Sequence, residues 1–277
     1  MKIAFWSNVN DYGMVSSNLA AISVASVIRF PYKIVTFENH LKYNSLGRAY
    51  LGNNHPPMLH DVGTNYYEGD GIEGLTRKIY RGNYEPRAIH RYIKDVIHKH
   101  LYYIPKNRVV HTEIFDYEFN YCFIQLQHIL RSYVDICLID TASYNCLSTK
   151  TILDQADLVV VNLNPNPDFL EDFFLNYSSL IPKAILIINS NNNRSIHKRS
   201  AMLLRKHEIP RGDICILPMN EGYQEAFLYG NVVEYIYSNY HCNKDNPNYL
   251  FIQALKRSAY TMIKKAEYLC LNEKTGK

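Results

Sequence analysis

The chain of 277 residues is 47% hydrophobic, 20% charged and 13% aromatic, which suits a packed core and excludes a disordered tail or a disulfide mini-scaffold. Thirty Lys and Arg against twenty-six Asp and Glu leave a formal charge of +4, too slight an excess to mark a nucleic-acid footprint, so DNA as a partner has no support from charge. Six cysteines without a CxxC pair, only a short apolar stretch after Lys2 and no apolar run of about eighteen residues predict a soluble, cytoplasmic chain with neither signal peptide nor membrane span.

From the N-terminus, Ile3-Ala4-Phe5-Trp6 reads as a buried strand and Ser7 to Gly13 as a polar turn. Ser16-Ser17-Asn18 then leads into a helix carrying Leu19, Ala20, Ala21, Ile22, Val24, Ala25 and Ile28. Lys33 to Phe37 is the next strand, completing a βαβ unit. Residues 41–70, with Asn53-Asn54, Pro56-Pro57 and several glycines, predict a long loop within one domain of 1–277. Glu85 to Tyr102 and Phe119 to Tyr133 carry helical patterns, with Val109-Val110 as a strand between them. Ile136 to Ile139, Leu158 to Val161, Ala184 to Ile188 and Asp213 to Leu217 are short, apolar runs rich in β-branched residues, as the interior strands of a sheet covered on both faces are. Helical patterns lie between them at Phe169 to Leu180 and Ser195 to His207. A last helix, over about 248–271, aligns Phe251, Ile252, Leu255, Ala259, Met262, Ile263 and Ala266 on the face that docks on the core. The alternation predicts an α/β fold with a mostly parallel sheet, whose ligands gather at the carboxyl ends of the strands.

The turn after the first strand is where a phosphate loop would sit, because backbone N–H groups and a helix N-terminus attract anions there. Against GxxxxGK[ST], the register Asn8 to Val15 keeps only the second glycine, Gly13, and puts Met14 at the lysine. A register one residue later puts Met14 at that glycine and Ser16 at the hydroxyl. The sequence leaves both open, and an ordinary βα turn is the plain alternative. Across the two, Asn10, Asp11, Tyr12, Gly13, Met14, Val15, Ser16 and Ser17 are the candidate phosphate-binding residues. The apolar strand ending in Asp140-Thr141 supplies a carboxylate where a nucleotide-hydrolysing fold holds its magnesium shell, with Ser16 as the companion ligand; a helix cap would use the same residue type. Asn189 closes another strand and could read a purine edge with its amide, although turns use asparagine as well.

In order and spacing these pieces resemble the MinD/ParA group of P-loop proteins over most of residues 1–240. The resemblance rests on the opening strand and loop, Ser17-Asn18-Leu19-Ala20-Ala21, Asp140-Thr141, and Ala156-Asp157-Leu158-Val159-Val160-Val161. It continues through Ile216-Leu217-Pro218-Met219-Asn220, Glu225-Ala226 and Gly230-Asn231-Val232-Val233-Glu234-Tyr235. It implies a single three-layer domain, ATP and magnesium as cofactors, a homodimer, Asn189 against adenine with Pro218 beside it, and Glu38 and Asp140 as candidate catalytic carboxylates.

The departures bear on activity. In the first register the family's two lysines fall at Val9 and Met14. Its Asp-x-Asp becomes Glu38-Asn39-His40, which loses the second acid, and the prolines after Asp140-Thr141 become Ala142 and Ser143. Phosphoryl transfer depends on positioning and charge stabilisation, so these losses predict weak or absent hydrolysis. Gly71 to Arg77 and Leu101 to Pro105 look most like the MinD-like proteins of Flp/Tad-type pilus machinery, the TadZ/CpaE group. That likeness implies protein partners in a secretion or pilus machine and recruitment to the inner face of a membrane. An active partitioning ATPase drawing on Arg194 or Lys198, and a scaffold that binds no nucleotide, are the alternatives. A zinc site from His55, His60 and Asp61 lacks a second ligand pair. His98 and His100 point to different faces of the expected helix, and no GxSxG or HExxH motif is present.

Overall fold

The computed structural model describes residues 1–10, 14–40, 45–52, 71–83, 86–106, 112–190 and 201–275. Strand β1 (Lys2–Trp6) leads to α1 (Val15–Arg29), β2 (Ile34–Asn39), α2 (Ser45–Leu51) and α3 (Ile72–Tyr80). A 3-10 turn at Pro86–Arg91 precedes β3 (Lys94–Ile97), β4 (Leu101–Tyr103) and α4 (Thr112–Arg131). Then follow β5 (Ile136–Thr141), α5 (Leu147–Gln155), β6 (Leu158–Leu163), α6 (Pro167–Asn176) and β7 (Ala184–Ser190). Residues 201–206 are helical and lead to β8 (Ile214–Pro218), α7 (Glu221–Tyr229), α8 (Val232–Asn239) and α9 (Tyr249–Thr275).

The eight strands form one sheet in the order β3-β4-β2-β5-β1-β6-β7-β8, and every pair is parallel except β3 with β4. Because β1, β2, β5 and β6 are covered on both faces, nearly every residue in them is buried, which is why they read as unbroken apolar runs. Ile3 and Phe5 face a core shared with α1, α2 and α9, whereas Ala4 and Trp6 face one shared with α3 to α6. From β1 the chain runs through α1 toward β2 on one side; from β5 it runs through α5 to β6 on the other. The reversal leaves a crevice at the carboxyl ends of β1 and β5, where open α/β sheets bind ligands.

Two expected elements differ. Glu85 to Tyr102, expected as a helix, holds the antiparallel pair β3 and β4, turned at Lys99 with φ 66°. The pairing of Ile34, Val35 and Thr36 with Leu101, Tyr102 and Tyr103 extends the sheet, and that long-range pairing overrides the local helical spacing. His98 and His100 accordingly sit at a hairpin turn, both exposed. The expected loop over 41–70 contains α2, and α4 begins seven residues before the expected Phe119. Val109-Val110, residues 53–70 with His55, His60 and Asp61, and residues 191–200 with Arg194 and Lys198 lie outside the described residues.

The predicted face of the last helix docks as its pattern requires: Phe251, Ile252, Leu255, Ala259, Met262, Ile263 and Ala266 are all buried. Tyr223 of α7 stacks on Phe251 at 4.9 Å between ring centroids and donates its hydroxyl to the Ser17 carbonyl at 2.5 Å, tying the C-terminal segment to α1. Tyr223→Phe keeps the ring and leaves a buried carbonyl short of a donor. It should lower unfolding free energy by about 1–2 kcal/mol, measured by urea denaturation; an unchanged midpoint would show that the bond contributes nothing.

Candidate active site

Adjacent registers bring the site together. Glu38 of β2 lies opposite Asp140 of β5, and Asp140 is also level with Phe5 of β1, so the ends of three strands converge on one point. Ser16, in the first turn of α1, donates its hydroxyl to Asp140 Oδ2 at 2.5 Å. His40, one residue past β2, places Nε2 3.2 Å from that same oxygen and 3.4 Å from Glu38 Oε1. Glu38 is fully buried and accepts from the Tyr103 hydroxyl at 2.7 Å and from the N–H groups of Ser45 and Leu46 at 2.8 and 3.3 Å. Its charge therefore caps the start of α2, where unpaired amides carry partial positive charge.

The sequence reading missed one cation. Lys106 follows β4, is 6% exposed and places Nζ 3.4 Å from His40 Nδ1. Burial pushes its ammonium pKa down, against the pull of Glu38, Glu73 and Asp140. Burial also acts to lower the His40 pKa, but the Asp140 charge and hydrogen bond, with the Glu38 charge, outweigh it and hold the imidazole above its usual value. The signal was a lysine just past the apolar run Leu101 to Ile104 and Pro105, three residues beyond the end of β4, and the helix expected over Glu85 to Tyr102 hid that strand end.

A second cluster lies at the ends of β6 and β7. Asn18 of α1 donates to Asn162 Oδ1 at 2.8 Å and to Asn189 Oδ1 at 2.9 Å, and Asn189 donates back to Asn18 Oδ1 at 3.2 Å. Asn162 is fully buried and donates to the Trp6 and Val160 carbonyls. The Asn189 amide thus faces α1. Pro218 stands opposite Ser190 in the β7–β8 register, one step from Asn189.

The loop itself is described at both ends. Asn8 is fixed to α6 by donating to the Phe169 carbonyl at 2.9 Å and to Asp172 Oδ2 at 2.8 Å, and Asn10 is exposed. Met14 caps α1 in the left-handed region, φ 50° and ψ 31°, a conformation that favours glycine. Val15 and Ser16 begin the helix, with Ser17 buried behind them. Asp11, Tyr12 and Gly13 lie outside the described residues.

Glu38, His40 and Asp140 each offer a ligand atom within 4.8 Å of the others. This donor set does not suit magnesium, which takes hard oxygen ligands in a near-octahedral shell: an imidazole stands among the carboxylates, and one Asp140 oxygen already accepts from Ser16 and contacts His40. Neither register of the loop supplies a lysine. The cluster sets two carboxylates, an imidazole and an ammonium side by side at the strand ends.

No protein-family model matches the sequence, and no curated protein matches it. Solved structures match in fold. A ParA family ATPase from Chlorobium tepidum TLS aligns with a TM-score of 0.68 over 94% of this chain and 98% of its own, at 14% identity. The septum site-determining protein MinD from Pyrococcus horikoshii OT3, complexed with Mg-ADP, aligns with a TM-score of 0.65 over 97% and 98%, at 16% identity. A chain of the MinC:MinD cell division protein complex from Aquifex aeolicus aligns with a TM-score of 0.63 over 95% and 96%, at 13% identity. At these identities the likeness is one of architecture: the chain is a single α/β domain with the P-loop NTPase fold of the MinD and ParA ATPases.

Proposed function

We propose that this chain is a MinD/ParA-like organiser that localises a cellular assembly such as a Flp/Tad-type pilus apparatus, binds ATP weakly and hydrolyses it slowly or not at all. The observation that carries the reading is the Ser16–Asp140–His40 contact: the carboxylate suited to a magnesium shell is engaged by the protein's own hydroxyl and imidazole, beside a loop without lysine. Met14 in a glycine's conformation and Ser16 on Asp140 support the later loop register, with Val15 at the lysine position. On this reading Glu38 and Asp140 hold the site together, and phosphate contact falls to backbone N–H groups. Lys106 favours a second reading, a working ATPase whose cation enters from β4.

The MinC:MinD complex supports protein partners for this fold, and a homodimer is part of the same proposed reading. Among the described residues no helix is long and apolar enough to cross a membrane, and the membrane recruitment in this reading is a peripheral contact. In a nucleotide-bridged dimer a lysine reaches into the partner's site. Without one, a dimer rests on constitutive contacts, for which Tyr12, Met14 and Tyr144 are uncharged candidate anchors. Light scattering across a concentration series should therefore give the same oligomeric state with and without ATP and magnesium. A monomer-to-dimer shift on adding nucleotide would favour the working ATPase.

A further inference from the structure

Among the described residues the sheet ends on β8, which pairs there with β7 alone and is separated from β5 by three strands. An edge strand presents a row of backbone donors and acceptors to whatever lies beside it. Here that edge borders a groove of about 550 Å³. The helix over 201–206 forms one wall with Leu204 and Arg205, and α9 forms the other with Ala254 and Arg257; Arg211 joins them, and Ile216 of β8 lines the groove. Ile216 is 58% exposed, unlike the buried aliphatics of β1, β5 and β6.

The charges around the groove are of one sign. Among the described residues Arg205, Arg211 and Arg257 form no ion pair, whereas the nearby Asp213 is held by Lys265 at 2.7 Å. A trough between two helices along an open strand suits an extended chain, which can pair its backbone with β8 and turn alternate side chains toward the two walls. The apolar lining asks for apolar side chains, and the three guanidinium groups ask for carboxylates, which they match in bidentate geometry.

We propose that the free edge of β8 is a docking site that takes an extended segment of a partner protein, alternating apolar and acidic residues, as a ninth strand of the sheet. The site is independent of nucleotide and of the Asp140 cluster.

The test uses the full chain to select from a phage-displayed random heptapeptide library. The best heptapeptide is then synthesised with a fluorescein label for anisotropy and for hydrogen exchange. The expected result is enrichment of sequences that interleave aliphatic residues with Asp or Glu, slower exchange at 214–217 when the peptide binds, and at least about tenfold weaker binding to Arg211→Glu/Arg257→Glu. Both arginines are exposed, so the variant should fold; if it does not, the exchange pattern of the unaltered chain decides. Failure to enrich any peptide, enrichment of peptides without acids, or protection confined to other segments would overturn the proposal. A labelled duplex DNA that binds the unaltered chain and not the double variant, with no acidic peptide enriched, would assign the groove to nucleic acid instead.

Discussion

Val15→Lys is expected to raise the affinity for ATP and magnesium by about ten- to a hundredfold, the value of one charge-assisted contact to phosphate, while Met14→Lys leaves it nearly unchanged. The difference between the two variants follows from local backbone geometry. Met14 holds φ 50° at the cap of α1, where the loop needs a glycine-like turn, and Ser16 already reaches Asp140. A lysine at 15 then precedes the hydroxyl, as in GK[ST]. Turnover in Val15→Lys should rise far less than binding, because His40 still stands in place of the second acid. Calorimetry and phosphate release on both variants check this. A Met14→Lys protein that binds better than Val15→Lys would restore the earlier register, and turnover rising in step with affinity would remove the role given to His40.

Gly230→Ala should destabilise the fold by more than about 3 kcal/mol, lowering the melting temperature by about 10 °C in a chain of this size. Gly230 ends α7 at φ 82°, which already costs an L-residue about 1–2 kcal/mol. A Cβ there would also lie 2.1 Å from Gly52 Cα and 2.6 Å from the Arg48 carbonyl oxygen, so backbone would have to move. The obstructed backbone belongs to α2 and the residue after it, and the first turn of α2 donates two N–H groups to Glu38. A shift of α2 therefore reaches the site. Differential scanning calorimetry checks the magnitude, and a change in melting temperature of a few degrees or less would show that α2 and α7 yield without cost.

The interior strands were legible because burial on both faces leaves an unbroken apolar run: Ile136 to Ile139 and Leu158 to Val161 appear where expected within β5 and β6. Asp140 was legible for the same reason, since it directly follows the run Ile136 to Ile139, and Ser16 was legible because Ser16-Ser17-Asn18 leads into the apolar pattern of α1. β3 and β4 were not. Edge strand β3 is half exposed and carries Lys94 and Asp95, so no alternation separates it from a polar helix, and what makes it a strand is pairing with residues distant in sequence. Lys106 was lost with that hairpin. The Asn18, Asn162 and Asn189 network was legible only one residue at a time, because mutual hydrogen bonds among three elements leave no local pattern.

The central claim is that the protein's own groups close a nucleotide-type site. Calorimetric titration of the unaltered chain with ATP in magnesium buffer tests it most directly. On the proposed reading, the loss of two charge-assisted lysine contacts to phosphate weakens binding by about a hundredfold or more, so no saturable heat is expected at low-micromolar ATP. A saturable isotherm with a low-micromolar dissociation constant would contradict the account and show that backbone donors or Lys106 supply what the loop lacks.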